Sequence, residues 1–151
     1  MLAMKFLQAG ACLGLLSLGA CSDQLESELT KTGDIARWYE PHQVTRGAEI
    51  FSANCAICHG AKAEGLVPDW RSRLDDGSFP PPPLNGTAHT WHHSLSVLLQ
   101  VINEGGVALG GQMPGFSSVL TEAEKLSVVA YFQSLWSDDI YEQWQQMGGT
   151  N

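Results

Sequence analysis

Cys55-Ala56-Ile57-Cys58-His59 sets two thiols three residues apart, with an imidazole directly after the second. On one helical turn such thiols share a face, where both can form thioethers with two vinyl groups on one side of a porphyrin. The next residue lies about 100° further round the helix, which brings the His59 imidazole under the ring as a proximal ligand to iron. The run is therefore read as an attachment site for one covalent haem c. A zinc site would need two further Cys or His ligands at suitable spacing. A thiol–disulfide oxidoreductase built on Cys55 and Cys58 would place them at a strand-to-helix junction, and no strand-like alternation is visible.

Iron held by His59 has a second axial position, and Met113 is its expected occupant. Met113 lies in Gly110-Gly111-Gln112-Met113-Pro114-Gly115-Phe116. The glycines allow close approach to the haem edge, and Pro114 confines Met113 to an extended backbone. Met147 sits near the terminus, and Met1 and Met4 belong to the leader. His89, His92 and His93 are the alternative axial donors, but at a helix start His92 and His93 point in different directions. Their expected uses are a helix cap or a hydrogen bond to a haem propionate. His42 reads as a surface or capping group.

The elements that must position these groups are helical. Val44, Ala48, Phe51, Cys55 and Cys58 recur at helical spacing from Pro41 onward. Residues 60–87 carry most of the prolines, including Pro80 to Pro83, and form a long irregular segment. Leu95, Leu98, Leu99 and Ile102 mark a second helix, with Thr90 or Ser94 as its cap and Gly105-Gly106 as its stop. A third helix opens on the capping box Thr121-x-x-Glu124, with Leu126, Val128, Tyr131, Phe132 and Leu135 expected on its buried side. Ile140, Tyr141, Trp144 and Met147 suggest a short amphipathic extension. The class is all-α with much loop, which a large apolar porphyrin would allow to pack.

The chain has 151 residues, enough for one ordinary domain, and a formal charge of −8 from 8 Lys+Arg and 16 Asp+Glu. That balance lacks the basic clusters that phosphate binding needs, so nucleic acid is excluded as a partner. No apolar run reaches the ~18–20 residues of a spanning helix. Residues 1–20 read as an export signal ending in Leu18-Gly19-Ala20-Cys21, which resembles the lipobox of bacterial lipoproteins. Cys12 is then removed and Cys21 lipidated, so no disulfide remains to be placed. The expected division is a signal over 1–20, a tether over 21–40, the domain over 41–137 and an extension over 138–151. The expected location is the periplasmic face of a bacterial membrane.

Over roughly residues 41–137 the chain resembles the class I monohaem cytochromes c. Gly47 and Phe51 match the glycine and aromatic at that family's crossing of first and last helices, which implies Val128 and Tyr131 as their partners. Pro82-x-Leu84-x-Gly86 matches the segment whose proline carbonyl accepts the proximal imidazole N–H, implying Pro82 for His59, with Pro81 or Pro83 as neighbouring choices in the proline run. The residues Asp69-Trp70-Arg71 and Leu84 to His93 resemble a bacterial subgroup, and Arg71, Arg73, Trp91 and His92 are candidate propionate contacts. The long interval between His59 and Pro82 departs from short family members. The resemblance implies a His/Met-ligated electron carrier rather than an enzyme, meeting redox proteins through their basic patches. The rival readings are a haem enzyme or gas sensor with an open distal site, and a thiol–disulfide oxidoreductase.

Overall fold

The computed structural model describes residues 35–151, and the leader, Cys21 and the first part of the expected tether lie outside the described residues. Pro41 opens α1, Pro41–Asn54, where its fixed φ suits the first turn and its missing N–H costs nothing. Gln43 closes that turn by accepting from the Glu40 N–H at 2.9 Å. The helix is interrupted at Cys55, and a single further turn, α2, runs over Ala56–His59. It stops at Gly60, whose φ of +80° favours glycine.

Ser94 is the cap of α3, Leu95–Glu104, accepting from the Val97 N–H at 3.5 Å. Gly105, at φ +85°, ends it. The expected capping box opens α4, Glu122–Ser134: Glu124 N–H donates to Thr121 Oγ1 at 3.3 Å, and Thr121 N–H donates to Glu124 Oε2 at 3.0 Å. Arg46 of α1 donates to the same Glu124 carboxylate at 3.0 Å, which ties the two helices at their exposed edge. The last helix, α5, spans Asp138–Gln146 behind the Ser137 cap. No strand occurs among the described residues, so the class is all-α.

The principal helix pair is α1 against α4. At Gly47 a Cβ would stand 1.9 Å from the Ser127 carbonyl oxygen and 2.9 Å from Tyr131 Cβ, so only glycine permits this approach. Phe51 packs beside it, its ring centroid 5.0 Å from that of Tyr131. Tyr131 thus lies where the resemblance put it. Ser127, not Val128, supplies the nearest backbone to Gly47, and Val128 faces a cavity instead. Because α4 is covered on more than one side, Lys125, Val129, Ala130 and Gln133 are buried along with Val128 and Phe132. Leu135, expected inside, is exposed.

Both proposed domain ends are displaced outward. Residues 35–40, assigned to the tether, pack on α4 and α5: Trp38 Nε1–H donates to Gln133 Oε1 at 2.6 Å, Trp38 N–H donates to Tyr141 Oη at 3.0 Å, and Arg37 pairs with Asp138. Residues 138–151, assigned to an extension, bring Tyr141 and Trp144 to 0% exposure within the main core. Trp144 Nε1–H donates to the His93 carbonyl at 2.8 Å, and Leu95 N–H donates to the Gly149 carbonyl at 2.6 Å. Residues 35–40 are too few to show a period, residues 138–151 show one without revealing what it packs on, and the aromatics of both find their partners across the fold.

Trp144→Ala should therefore cost about 3–5 kcal/mol of holoprotein stability, the usual range for a buried Trp. Urea denaturation would read this as a lower midpoint. An unchanged midpoint would return α5 to the status of a dispensable extension.

Candidate functional site

A cavity of about 940 Å³ opens beside α1, α2, α3 and α4. Phe51, Leu98, Ile102, Val128 and Phe132 give it apolar walls, and Cys55, Cys58, His59 and Met113 all line it. The residues singled out for chemistry at the two ends of the sequence argument are thus brought to one space. The break between α1 and α2 sets Cys55 half-buried and Cys58 exposed, and neither is in a disulfide. Burial, reinforced by the neighbouring Cys58, pushes the Cys55 thiol up to about 11.

His59 is only 6% exposed, and its Nδ1 lies 3.0 Å from the Pro82 carbonyl. A carbonyl can only accept, so this contact holds the proton on Nδ1 and leaves the lone pair on Nε2 for a metal. Burial lowers the pKa of the imidazole, with the Pro82 bond opposing, which favours the neutral ring that a ligand requires. The proline run is itself pinned. Leu84 N–H donates to the Ala63 carbonyl at 2.7 Å, Thr90 Oγ1–H to the Pro83 carbonyl at 3.0 Å, and Trp136 Nε1–H to the Leu84 carbonyl at 2.7 Å.

Met113 rides on a loop built by glycines. Gly106 N–H donates to the Met113 carbonyl at 2.9 Å, and a Cβ on Gly105 would lie 2.5 Å from that same oxygen. The loop rejoins α3 through Phe116 N–H, which donates to the Ile102 carbonyl at 2.8 Å.

The candidate propionate contacts divide. Arg71 lines the cavity, its guanidinium 4.2 Å from the Trp70 ring centroid. Arg73, Trp91 and His92 are not among the lining residues. Arg73 donates to the Gly77 carbonyl at 2.6 Å and covers Phe79, Trp91 packs on the hydrophobic core, and His92 is exposed. His89 and His93, two of the three histidines expected to cap a helix or bond a propionate, do line the cavity. His89 stacks on Trp70 with centroids 4.6 Å apart, and its buried Nδ1 has no protein partner. The His89 and His93 rings flank the 3₁₀ turn Thr90–His92 and meet edge to face with centroids 5.3 Å apart. Among the described residues no three His, Cys, Asp or Glu side chains group as a metal site of their own.

Two unpaired thiols, an imidazole with a free Nε2, a thioether and apolar walls are a donor set that fits covalent haem. Residues 42–132 match the model of the family described as cytochrome C oxidase, cbb3-type, subunit III. The chain is 32% identical over 100 residues to the cbb3-type cytochrome c oxidase subunit CcoP of Rhodobacter capsulatus, covering 62% of this chain and 29% of that one. It is 32% identical over 98 residues to the subunit FixP of Sinorhizobium medicae, covering 61% of this chain and 30% of that one. The chain thus spans less than a third of the length of these relatives. Cytochrome cL of Methylophaga aminisulfidivorans superposes with a TM-score of 0.49 at 21% identity, covering 83% of this chain and 77% of that one.

If each cysteine carries one thioether, Cys58→Ser should retain haem on a denaturing gel through Cys55 alone. Its pyridine haemochrome band should move to longer wavelength, as one vinyl becomes unsaturated. An unmoved band would mean that Cys58 makes no bond.

Proposed function

The chain belongs to the cbb3-type cytochrome c oxidase subunit III family, and on that premise we propose that its domain is a one-electron carrier with His59 and Met113 as the axial ligands of a single haem c. Cys55 and Cys58 would hold the group through thioethers, and once bound it supplies reversible Fe(III)/Fe(II) chemistry. The observation that carries the reading is the convergence of His59, its Pro82 partner and Met113 on one apolar cavity.

The protein residues have three tasks. His59 keeps a neutral ring in fixed orientation, so its Nε2 would meet the iron of a bound haem without rearrangement of the protein. Met113 would offer a thioether to the same iron, a ligand type that favours the reduced state and a relatively high potential. Phe51, Leu98, Val128 and Phe132 exclude water from the faces, which limits solvent reorganisation during transfer. Arg71, His89 and His93 are the side chains of the cavity suited to the propionate carboxylates, with His89 Nδ1 in need of a partner.

Export and a lipid at Cys21 would hold the domain at the periplasmic face of a membrane. The described residues contain no helix long and apolar enough to cross one. The relatives are oxidase subunits, which supports delivery of electrons towards a terminal oxidase. The charge of −8 suits docking to basic surfaces of the donor and acceptor.

Met113→Ala should lower the potential and admit carbon monoxide to the reduced protein, whereas the unaltered protein should bind it poorly. Rapid carbon monoxide binding by the unaltered protein would favour the haem enzyme or gas sensor reading. Bimolecular transfer rates should also fall as ionic strength rises. Stopped-flow rates indifferent to salt would contradict charge-guided docking.

A further inference from the structure

The interval between His59 and Pro82 was the part of the chain without a task. Residues 73–79 fold into a self-bonded turn. Leu74 N–H donates to the Ser78 carbonyl and Gly77 N–H to the Leu74 carbonyl, both at 2.9 Å. Asp76 Oδ1 accepts from Ser78 N–H at 2.9 Å and from Ser78 Oγ–H at 2.6 Å. Arg73 lies 4.0 Å over the Phe79 ring.

This turn is bonded to the loop that carries Met113. Phe79 N–H donates to the Gly110 carbonyl at 2.8 Å. Gln112, next to Met113, donates from Nε2 to Ser78 Oγ at 2.9 Å and to Asp76 Oδ2. Gly110, whose φ of +82° favours glycine, lies in ordinary contact range of Phe79 and the Arg73 guanidinium. The loop also closes on itself: Leu109 N–H and Gly111 N–H both donate to the Gly106 carbonyl at 3.0 Å, and Gly110 N–H donates to the Val107 carbonyl at 3.0 Å. Gly106 N–H donates to the Met113 carbonyl at 2.9 Å, while the Gln112 side chain reaches outward to Asp76 and Ser78. A glycine-rich loop of this kind has high conformational entropy when released.

We propose that residues 73–79 are a strap on the Met113 loop, with Asp76, Ser78 and Phe79 as positioning residues that set how readily the thioether leaves the iron. The inference rests on Met113 as the axial ligand. The carboxylate of Asp76 is the centre of the strap, since it orders Ser78 with one oxygen and receives Gln112 with the other. Without it, the loop keeps its backbone bond to Phe79 and the Gln112 bond to Ser78, but Ser78 is no longer ordered and Gln112 loses its charged partner. Met113 then departs more often, and an external ligand gains access to the ferric iron.

The test follows imidazole binding to the oxidised holoprotein by stopped flow, where the limiting rate at saturating imidazole reports departure of Met113. Asp76→Ala and Gln112→Ala should each raise that rate about tenfold, the worth of one charge-assisted hydrogen bond. The double variant should exceed either single one by less than the product of their separate effects, because the Gln112–Asp76 bond is common to both. Asp69→Ala is the control: its carboxylate bonds only Ser72 and the Arg71 N–H, so the rate should not change. The sulfur-to-iron charge-transfer band of the oxidised protein separates the two readings. If the band is present in the parent and abolished by Met113→Ala, yet Asp76→Ala leaves the imidazole rate unchanged, the strap is overturned and the ligand stands. If the parent lacks the band, the ligand reading fails and the strap falls with it.

Discussion

The contact between His59 Nδ1 and the Pro82 carbonyl is the constraint on which the site depends. It joins the end of α2 to a segment far along the chain, and chooses the tautomer that leaves Nε2 free for iron. A proline run suits the accepting side, since its restricted φ resists the movements that would turn the carbonyl away. The C-terminal half secures that run in turn, through Trp136 at Leu84 and through Thr90 at Pro83. Trp144 at His93 and Gly149 at Leu95 carry the same support to the start of α3.

The cavity follows from how the helices meet. Gly47 lets α1 and α4 touch at backbone distance, and Phe51 and Val128 beside that crossing turn their surfaces to the open space. Apolar walls around so large a volume lose contacts that only a bound apolar group can restore. The prosthetic group is then part of the core as well as the chemistry. On the other border, the glycine-rich loop carrying Met113 closes on a short 3₁₀ turn and is bonded in addition to residues 73–79.

Much of this was legible in the residues. The Cys55 to His59 run, the Ser94 cap, the Thr121–Glu124 box and the Gly105 stop are local signals, each with a mechanism that acts within a few residues. Pro82 and the Gly47 crossing were reachable only by resemblance, because both depend on a partner distant in sequence. The remainder was hidden for the same reason. Trp38 stands in a segment too short for a period, and the amphipathic pattern around Trp144 does not name its partner, so 35–40 read as tether and 138–151 as extension, though both contribute to the core. All three histidines read alike in sequence, and the short 3₁₀ turn at Thr90–His92 sets His89 and His93 at the cavity while His92 is exposed. The fold-back of 73–79 onto Gly110 left no trace in composition.

The central claim is that one methionine, Met113, completes the iron coordination begun by His59. Proton NMR of the reduced protein labelled at the methionine methyl groups tests it most directly, since a thioether on haem iron lies inside the ring current. The account predicts one methyl resonance displaced far upfield, absent from Met113→Ala, with the exposed Met147 methyl at an ordinary position. Ordinary positions for every methionine methyl would contradict it.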